Sequence, residues 1–278
     1  MDLSFGNRKL TRGHQRIADY ISKNVDHIPF MVEEDLAQAC QVSISTVSRF
    51  WAEIGVKNLK EFKQRVKEDI LLSPSRKLQS AFEKMNEEGG AGASVLASAD
   101  YLRQSADRLE QAAFEEAVRL IGSAGAVHVY GPGSAECLAA LMDFRLTRFG
   151  LPVRRIERGG HELFDSLIHV QENDAVVLFG FVAKSPELEV LLRFSKERGC
   201  KTVLVTDLAV SDMLEQADVS LYTARGQLWE FHSMVAPIAL IEALIVAVGK
   251  RREREALAKG EELHELRLRY QKLLPKRI

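Results

Sequence analysis

Residues 33–55, EEDLAQACQVSISTVSRFWAEIG, decide how the front of the chain folds. Leu36, Ala37 and Cys40 fall at helical spacing and form the inner face of one helix, with the small Ala37 where a crossing helix must come close. Gln41-Val42-Ser43 makes a turn, and Val42 points inward. Val47, Phe50 and Ile54 then repeat at a spacing of three and four residues and bury together in a second helix, for which Ser43 or Ser45 supplies a capping oxygen. The opposite face, Ser45, Thr46, Ser48 and Arg49, is small, polar and basic. That face suits a helix laid in a DNA major groove, because short hydroxyl side chains let the backbone approach and one arginine can fork onto guanine or a phosphate. An ordinary three-helix bundle with a polar surface satisfies the same spacing.

Outward from this stretch the pattern stays helical on both sides. Ile17, Ile21 and Val25 share one face of an earlier helix, and a short piece lies around Ile28–Met31. After the second helix, Leu59, Phe62, Val66 and Ile70 make an apolar stripe beside a lysine stripe of Lys60, Lys63 and Lys67. Ser73-Pro74-Ser75 is a stop. Residues 76–125 read as helical with a break at Glu88-Gly89-Gly90-Ala91-Gly92, expected to act as a hinge.

Beyond residue 125 the texture changes. Ala126–Tyr130, Asp174–Phe179, Lys201–Thr206 and Asp218–Tyr222 are short β-branched runs, and Pro152–Ile156 adds a fifth. Helical stretches separate them, two of which end in glycine stops at Phe149-Gly150 and Arg198-Gly199. Apolar strands alternating with helices predict a parallel sheet covered on both faces. Met234–Gly249 is strongly apolar but spans 16 residues and contains Pro237 and Glu242. It falls short of the roughly 20 apolar residues that cross a bilayer, so a helix buried inside the protein is expected. The last segment, Lys250–Ile278, carries Leu263, Leu266, Tyr270 and Leu273 at 3-4-3 spacing, fitting an amphipathic helix that pairs with another subunit or docks on its own domain.

The expected architecture is therefore α + α/β. An all-helical helix-turn-helix domain (1–75) leads through a helical linker (76–112) to a doubly wound parallel-sheet domain (113–250) and a terminal helix (251–278). Among 278 residues, 46% are hydrophobic and 28% charged, with a net charge of −1. No global basic field is present, but residues 1–78 hold 13 Lys and Arg against 10 Asp and Glu, leaving the front mildly basic. Cys40, Cys137 and Cys200 form no paired motif, so neither a disulfide framework nor a metal site is expected, and no cofactor either. The N-terminus lacks an apolar signal region; a cytoplasmic protein follows from these readings.

The phrases LTRGHQRIADYI and EEDLAQACQVSISTVSRFWAEIGVKNLKEFKQRV resemble the N-terminal domain of RpiR-type bacterial regulators over residues 10–70. That resemblance implies a homodimer or homotetramer on a palindromic operator of double-stranded DNA. Ser45, Thr46, Ser48 and Arg49 would face bases, while Lys57, Lys60 and Lys63 would hold the phosphate backbone. Many such motifs carry glycine in the turn where this chain has Gln41. Residues from about 110 to 250 resemble the sugar isomerase (SIS) domain of the same regulators. Gly131-Pro132-Gly133-Ser134 opens a helix after the first strand, offering unpaired N–H groups to an anion. The family's G-x-G-x-S would place its serine at position 135; here it stands at Ser134. Where the family carries S-x-S-G-x-T after its next core strand, this chain reads Gly180-Phe181-Val182-Ala183-Lys184-Ser185.

The resemblance thus implies a regulator whose SIS-like domain senses a small anionic metabolite, a phosphosugar or another carbohydrate-derived ligand, and so controls a catabolic operon. Gly133, Ser134, Lys184, Ser185, His161 and Glu230 are the expected ligand contacts, with Arg225 and His232 in the same segment as Glu230. Loss of the serines leaves three options open: a phosphosugar held by altered contacts, a different ligand such as a carboxylate or an unphosphorylated sugar derivative, or a domain kept for oligomerisation alone. The competing class is a sugar-phosphate isomerase, in which Glu230 with His161 or His232 would move the proton. An isomerase has no need of the helical front domain, so the reading is not an enzyme. No catalytic residue and no membrane contact are expected.

Overall fold

A computed structural model of the chain describes residues 10–23, 28, 31–64, 74–86, 90–208, 211–226 and 230–274. Val25, Val66, Lys67, Ile70, Ser73, Glu88 and Gly89, named above, lie outside them. The chain divides into two compact units. The first comprises Met1–Ser94 with Gly226–His232, and the second Val95–Arg225 with Ser233–Ile278.

The first unit is helical. Helices α1 (Arg12–Lys23), α2 (Glu33–Cys40) and α3 (Ile44–Glu53) are followed by α4 (59–64) and α5 (Pro74–Asn86). Ile17, Ile21, Ile28, Leu36, Ala37, Cys40, Val47, Phe50, Ile54, Leu59 and Phe62 form one buried cluster, against which Val42 packs. The cluster also takes in Trp51, which the 3–4 spacing of the second helix passes over. Trp51 is fully buried because its ring lies 5.2 Å from that of Phe50 and 5.0 Å from that of Phe62, tying α3 to α4.

Helix α6 (Gly90–Asp107) runs from one unit into the other, so Gly90–Gly92 of the expected hinge form the first turn of a helix. Helix α7 (Gln111–Gly122) then leads into a sheet of five parallel strands, β1 (Val127–Tyr130), β2 (Val153–Ile156), β3 (Ala175–Phe179), β4 (Lys201–Thr206) and β5 (Val219–Tyr222). Their order is β2-β1-β3-β4-β5. Between them stand α8 (Glu136–Leu146), α9 (Leu163–Leu167), α10 (Pro186–Arg198) and α11 (Asp212–Gln216), and α12 (Val235–Arg251) and α13 (Glu253–Tyr270) close the chain.

Every residue of β3 is buried because both faces of the sheet are covered. Val127, Val129, Ala175, Val177, Phe179, Val203 and Val205 point to one side, where α7, α8 and α12 supply Leu120, Leu138, Met142, Ile241 and Leu244. Tyr130, Val176, Leu178 and Leu204 point to the other, against Leu163, Leu191 and Met213 of α9, α10 and α11. The apolar Met234–Gly249 stretch is thus a core helix of the second unit, and no described helix is long and apolar enough to cross a membrane. Gly150 and Gly199 end their elements at φ of 80° and 82°, the left-handed conformation in which glycine carries no Cβ penalty. In α13 Leu263 is half-buried, whereas Leu266 and Tyr270, and Leu273 beyond its end, face solvent.

One buried polar knot pins the sheet. The Asp174 carboxylate accepts the N–H groups of Ala126 and Gln171, both at 3.0 Å, and sits 3.0 Å from His128 Nε2 in the middle of β1. Burial holds the His128 imidazole below its ordinary pKa, against the opposing pull of Asp174, so the folded protein keeps it neutral. A histidine whose folded pKa is depressed contributes stability above its unfolded value of about 6.5 and loses it as the pH falls below that value. Denaturant titrations should show the stability of the second unit falling below about pH 6.5, by up to ~1.4 kcal/mol per pH unit. His128→Asn should flatten that slope. Identical slopes in the two proteins would locate the titrating group elsewhere.

Candidate functional site

In the first unit the turn between α2 and α3 is built from backbone hydrogen bonds. Gln41 takes φ 52° and ψ 50°, and the N–H groups of Gln41 and Val42 donate to the carbonyls of Gln38 (3.1 Å) and Ala37 (2.9 Å). Glutamine fills the left-handed position where glycine would be strain-free. Ser43, not Ser45, caps α3: its Oγ accepts the Thr46 N–H at 3.2 Å. Glu33 at the start of α2 braces the pair, one oxygen accepting the Leu59 N–H (3.3 Å) and the other the Ser48 hydroxyl (3.4 Å).

The outer face of α3 presents Ser45, Ser48 and Arg49 to solvent. Arg49 lies back along its own helix, donating from Nε to the Ser45 carbonyl at 3.2 Å. Thr46 is half-buried, with its methyl group beside Gly13, where an added Cβ would approach it to 3.2 Å. Thr46 therefore serves both the α1–α3 packing and the outer face. Lys57 and Lys60 are exposed at the loop and first turn of α4.

In the second unit, β1 leads to α8 on one face of the sheet and β3 leads to α10 on the other. Such divergence opens a crevice at the carboxyl ends of adjacent strands. A cleft of about 280 Å³ lies on the β2 side of β1, lined by Tyr130, Gly131, Pro132, Gly133, Arg155 and Gly159 among others. Gly131 cannot be replaced without rearrangement, since a Cβ would stand 2.6 Å from the Ala135 carbonyl oxygen. Gly133 has φ 58°, and Ser134 is exposed.

The loop after β3 holds the outlier of the fold. Val182 has φ 68°, rare for a β-branched residue, and the Ala183 N–H reaches back to the Phe181 carbonyl at 2.7 Å, closing a strained three-residue turn. Such a conformation costs about 1–3 kcal/mol and persists only where its surroundings enforce it. Here the Val182 N–H donates to Asp207 Oδ1 at 2.8 Å. Asp207 in turn accepts from Arg225 Nη1 at 3.3 Å, and the Arg225 guanidinium lies 4.2 Å above the Phe181 ring while Nη2 donates to Ser134 Oγ at 3.4 Å. Arg225 is only 4% exposed, and its Nε has no hydrogen-bond partner among the described residues. Burial raises the Asp207 pKa and lowers that of Arg225, each opposed by the other's charge.

The expected ligand contacts are distributed unevenly. Lys184 is held between Asp212 and Glu189, whose hydrogen bonds raise its pKa, so its charge is already matched. Ser185 caps α10 through the Leu188 N–H (3.2 Å) and bonds the buried Tyr130 side chain. His161 is exposed in a short turn after β2, its ring 6.2 Å from that of Phe164. Glu230 and His232 are grouped with the first unit, and His161 with the second. Gly133 lines the cleft, and Ser134 follows it, exposed. Asp207 is absent from the sequence-based list, and its signal is faint: an aspartate directly after a parallel core strand.

Comparison with known proteins agrees with both halves. A model described as a helix-turn-helix domain of the rpiR family matches residues 3–74, and a SIS domain model matches residues 120–247. An HTH-type transcriptional regulator of Caldanaerobacter subterraneus is 21% identical over 92% of this chain and 92% of its own. The NanR protein of Vibrio vulnificus, solved with ManNAc-6P, is 19% identical with a TM-score of 0.60, covering 99% of this chain and 98% of its own. The sugar isomerase domain of an RpiR transcription factor from Sphaerobacter thermophilus is 25% identical with a TM-score of 0.58, over 62% of this chain and 96% of that one.

Relieving the left-handed strain at the α2–α3 turn should be measurable. Gln41→Gly is expected to stabilise the first unit by about 0.5–1 kcal/mol, and Gln41→Val to destabilise it by more than that. A destabilised glycine variant in thermal unfolding would show that the glutamine side chain makes a compensating contact.

Proposed function

The chain belongs to the RpiR-type regulators, a helix-turn-helix domain followed by a SIS domain, and from that premise we propose that α3 reads a palindromic operator while the loops at the carboxyl ends of β1 and β3 sense a small anionic, carbohydrate-derived metabolite. The observation that carries the DNA half is the outward Ser45–Ser48–Arg49 face on a helix locked from behind by Phe50 and Trp51. Thr46 flanks that face, and Lys57 and Lys60 hold adjacent phosphates. The bonds of Arg49 to Ser45, and of Ser45 to the Ser43 hydroxyl (2.8 Å), lie at the surface, so exchanging them for base contacts costs little.

The sensing half is supported by the crevice between diverging strands and by a structural neighbour solved with a phosphorylated sugar derivative. Gly133 and Ser134 contact the ligand, with Ser185, Lys184, His161 and Glu230 as further contacts of lower rank. The protein works in the cytoplasm as a homodimer or homotetramer controlling a catabolic operon. Leu266 and Tyr270, exposed on α13, and Leu273 just beyond it are apolar surface available for subunit pairing. We read it as a regulator rather than an isomerase, a reading supported by its helix-turn-helix half and by relatives named as transcriptional regulators. Ligand shifts the population between arrangements of two DNA-reading heads, and a coupling of about 1–3 kcal/mol makes a usable switch.

The test uses DNA duplexes selected by the purified full-length protein from a random pool. Arg49→Ala should weaken binding to the selected duplex by about 1–3 kcal/mol and to unrelated duplex by much less. Equal losses on both would make Arg49 a phosphate contact. Failure to select any sequence at low salt would refute the operator reading.

A further inference from the structure

We infer that the effector of this chain is a sugar acid, whose carboxylate is gripped side-on by Arg225, and not a phosphosugar gripped by hydroxyls. The inference rests on the sensory reading above and names the ligand class of that same site.

Hydroxyls are scarce around the loop after β3. Gly180, Val182 and Ala183 offer none, and Ser185 already caps α10 and bonds Tyr130. A side chain at position 180 would be tightly fitted, because a Cβ there stands 3.1 Å from Leu204 and 3.2 Å from Met213. Lys184 is matched by two carboxylates.

What the site does hold is a buried guanidinium with one edge only weakly paired. Nη1 is engaged with Asp207. Nε has no partner among the described residues, and Nη2 makes only a long bond to an exposed serine that a ligand can displace. Nε–H and Nη2–H point in parallel, the donor pair that matches the two oxygens of a carboxylate. The arginine is fixed from behind by the Ala224 N–H on Ser105 Oγ (2.8 Å) and from above by Phe181.

Charge decides between the two anion classes. Asp207 already balances Arg225, so a bound ligand adds its whole charge to a buried, otherwise neutral pair. A carboxylate adds one negative charge; a phosphate monoester at neutral pH adds about 1.5–2, facing Asp207 at close range. Entry requires the 181–184 loop to lift, and its strained Val182 makes that loop the least stable part of the cover.

The experiment measures binding by calorimetry and thermal shift on the full-length protein with D-gluconate, D-glucuronate, D-galacturonate, glucose 6-phosphate and inorganic phosphate. At least one sugar acid is expected to bind and raise Tm, and to bind more tightly than either phosphate compound. Arg225→Lys keeps the charge but loses the fork, and should weaken that sugar acid by about tenfold or more. Because that variant disturbs a buried pair, Asp207→Asn provides an independent check. It preserves the acceptor for the Val182 N–H and removes the opposing charge, so it should tighten the sugar acid several-fold and narrow the gap to glucose 6-phosphate. Tighter binding of glucose 6-phosphate than of every sugar acid, no binding of any sugar acid, or indifference of sugar-acid binding to Asp207→Asn overturns the inference. Binding of the selected DNA duplex is measured alongside: duplex binding without sugar-acid binding refutes the ligand class alone, whereas loss of duplex selection in the wild-type protein refutes the regulator reading itself.

Discussion

A parallel sheet with no face open to water must send its connecting helices to both sides, and the functional geometry of the second unit follows from that constraint. β1 and β3 are neighbours, yet α8 and α10 leave them in opposite directions. The two loops separate at the strand ends, where backbone N–H groups, glycines and polar side chains converge without being consumed by the ladder. The same burial that makes the strands continuous apolar runs also makes any charge near them expensive. Asp207 and Arg225 survive there only because each neutralises the other and because both do structural work, one on the Val182 turn and one across the Phe181 ring.

The first unit obeys a different constraint, the closeness of three short helices. Gly13 lets α1 approach α3, Ala37 lies in the buried contact of α2, and Trp51 fills the space toward α4. With one side of α3 so firmly held, its other side is free to be small and polar. Packing and recognition are therefore separable by residue, except at Thr46, whose methyl group belongs to the first and whose hydroxyl faces that of Ser43 at 2.9 Å.

Much of this was legible in the amino-acid sequence because it depends on period and texture. The five strands follow from β-branched runs too apolar to have a wet face, and the paired helices from the spacing of Leu36, Cys40, Val47 and Phe50. The site was less legible. Arg225 is buried by Ser134, Phe181 and Asp207, three residues from separate loops whose meeting is decided by strand order. Lys184 reads as a free cation until Glu189 and Asp212 are seen on either side of it. The hinge expected at the glycines failed to anticipate that Gly90–Gly92 would be helical, because a glycine pair marks permission to bend and not an obligation.

The wall behind Gly180 has a consequence for how such regulators can change their diet. Leu204 and the Met213 thioether stand so near the missing Cβ that a serine there needs one of these flexible side chains to give by a few tenths of an ångström. Passage between a hydroxyl-rich loop and this one therefore makes a demand on the packing behind the loop as well as on the loop itself. The specificity of the site is guarded in part by two apolar side chains that never meet a ligand.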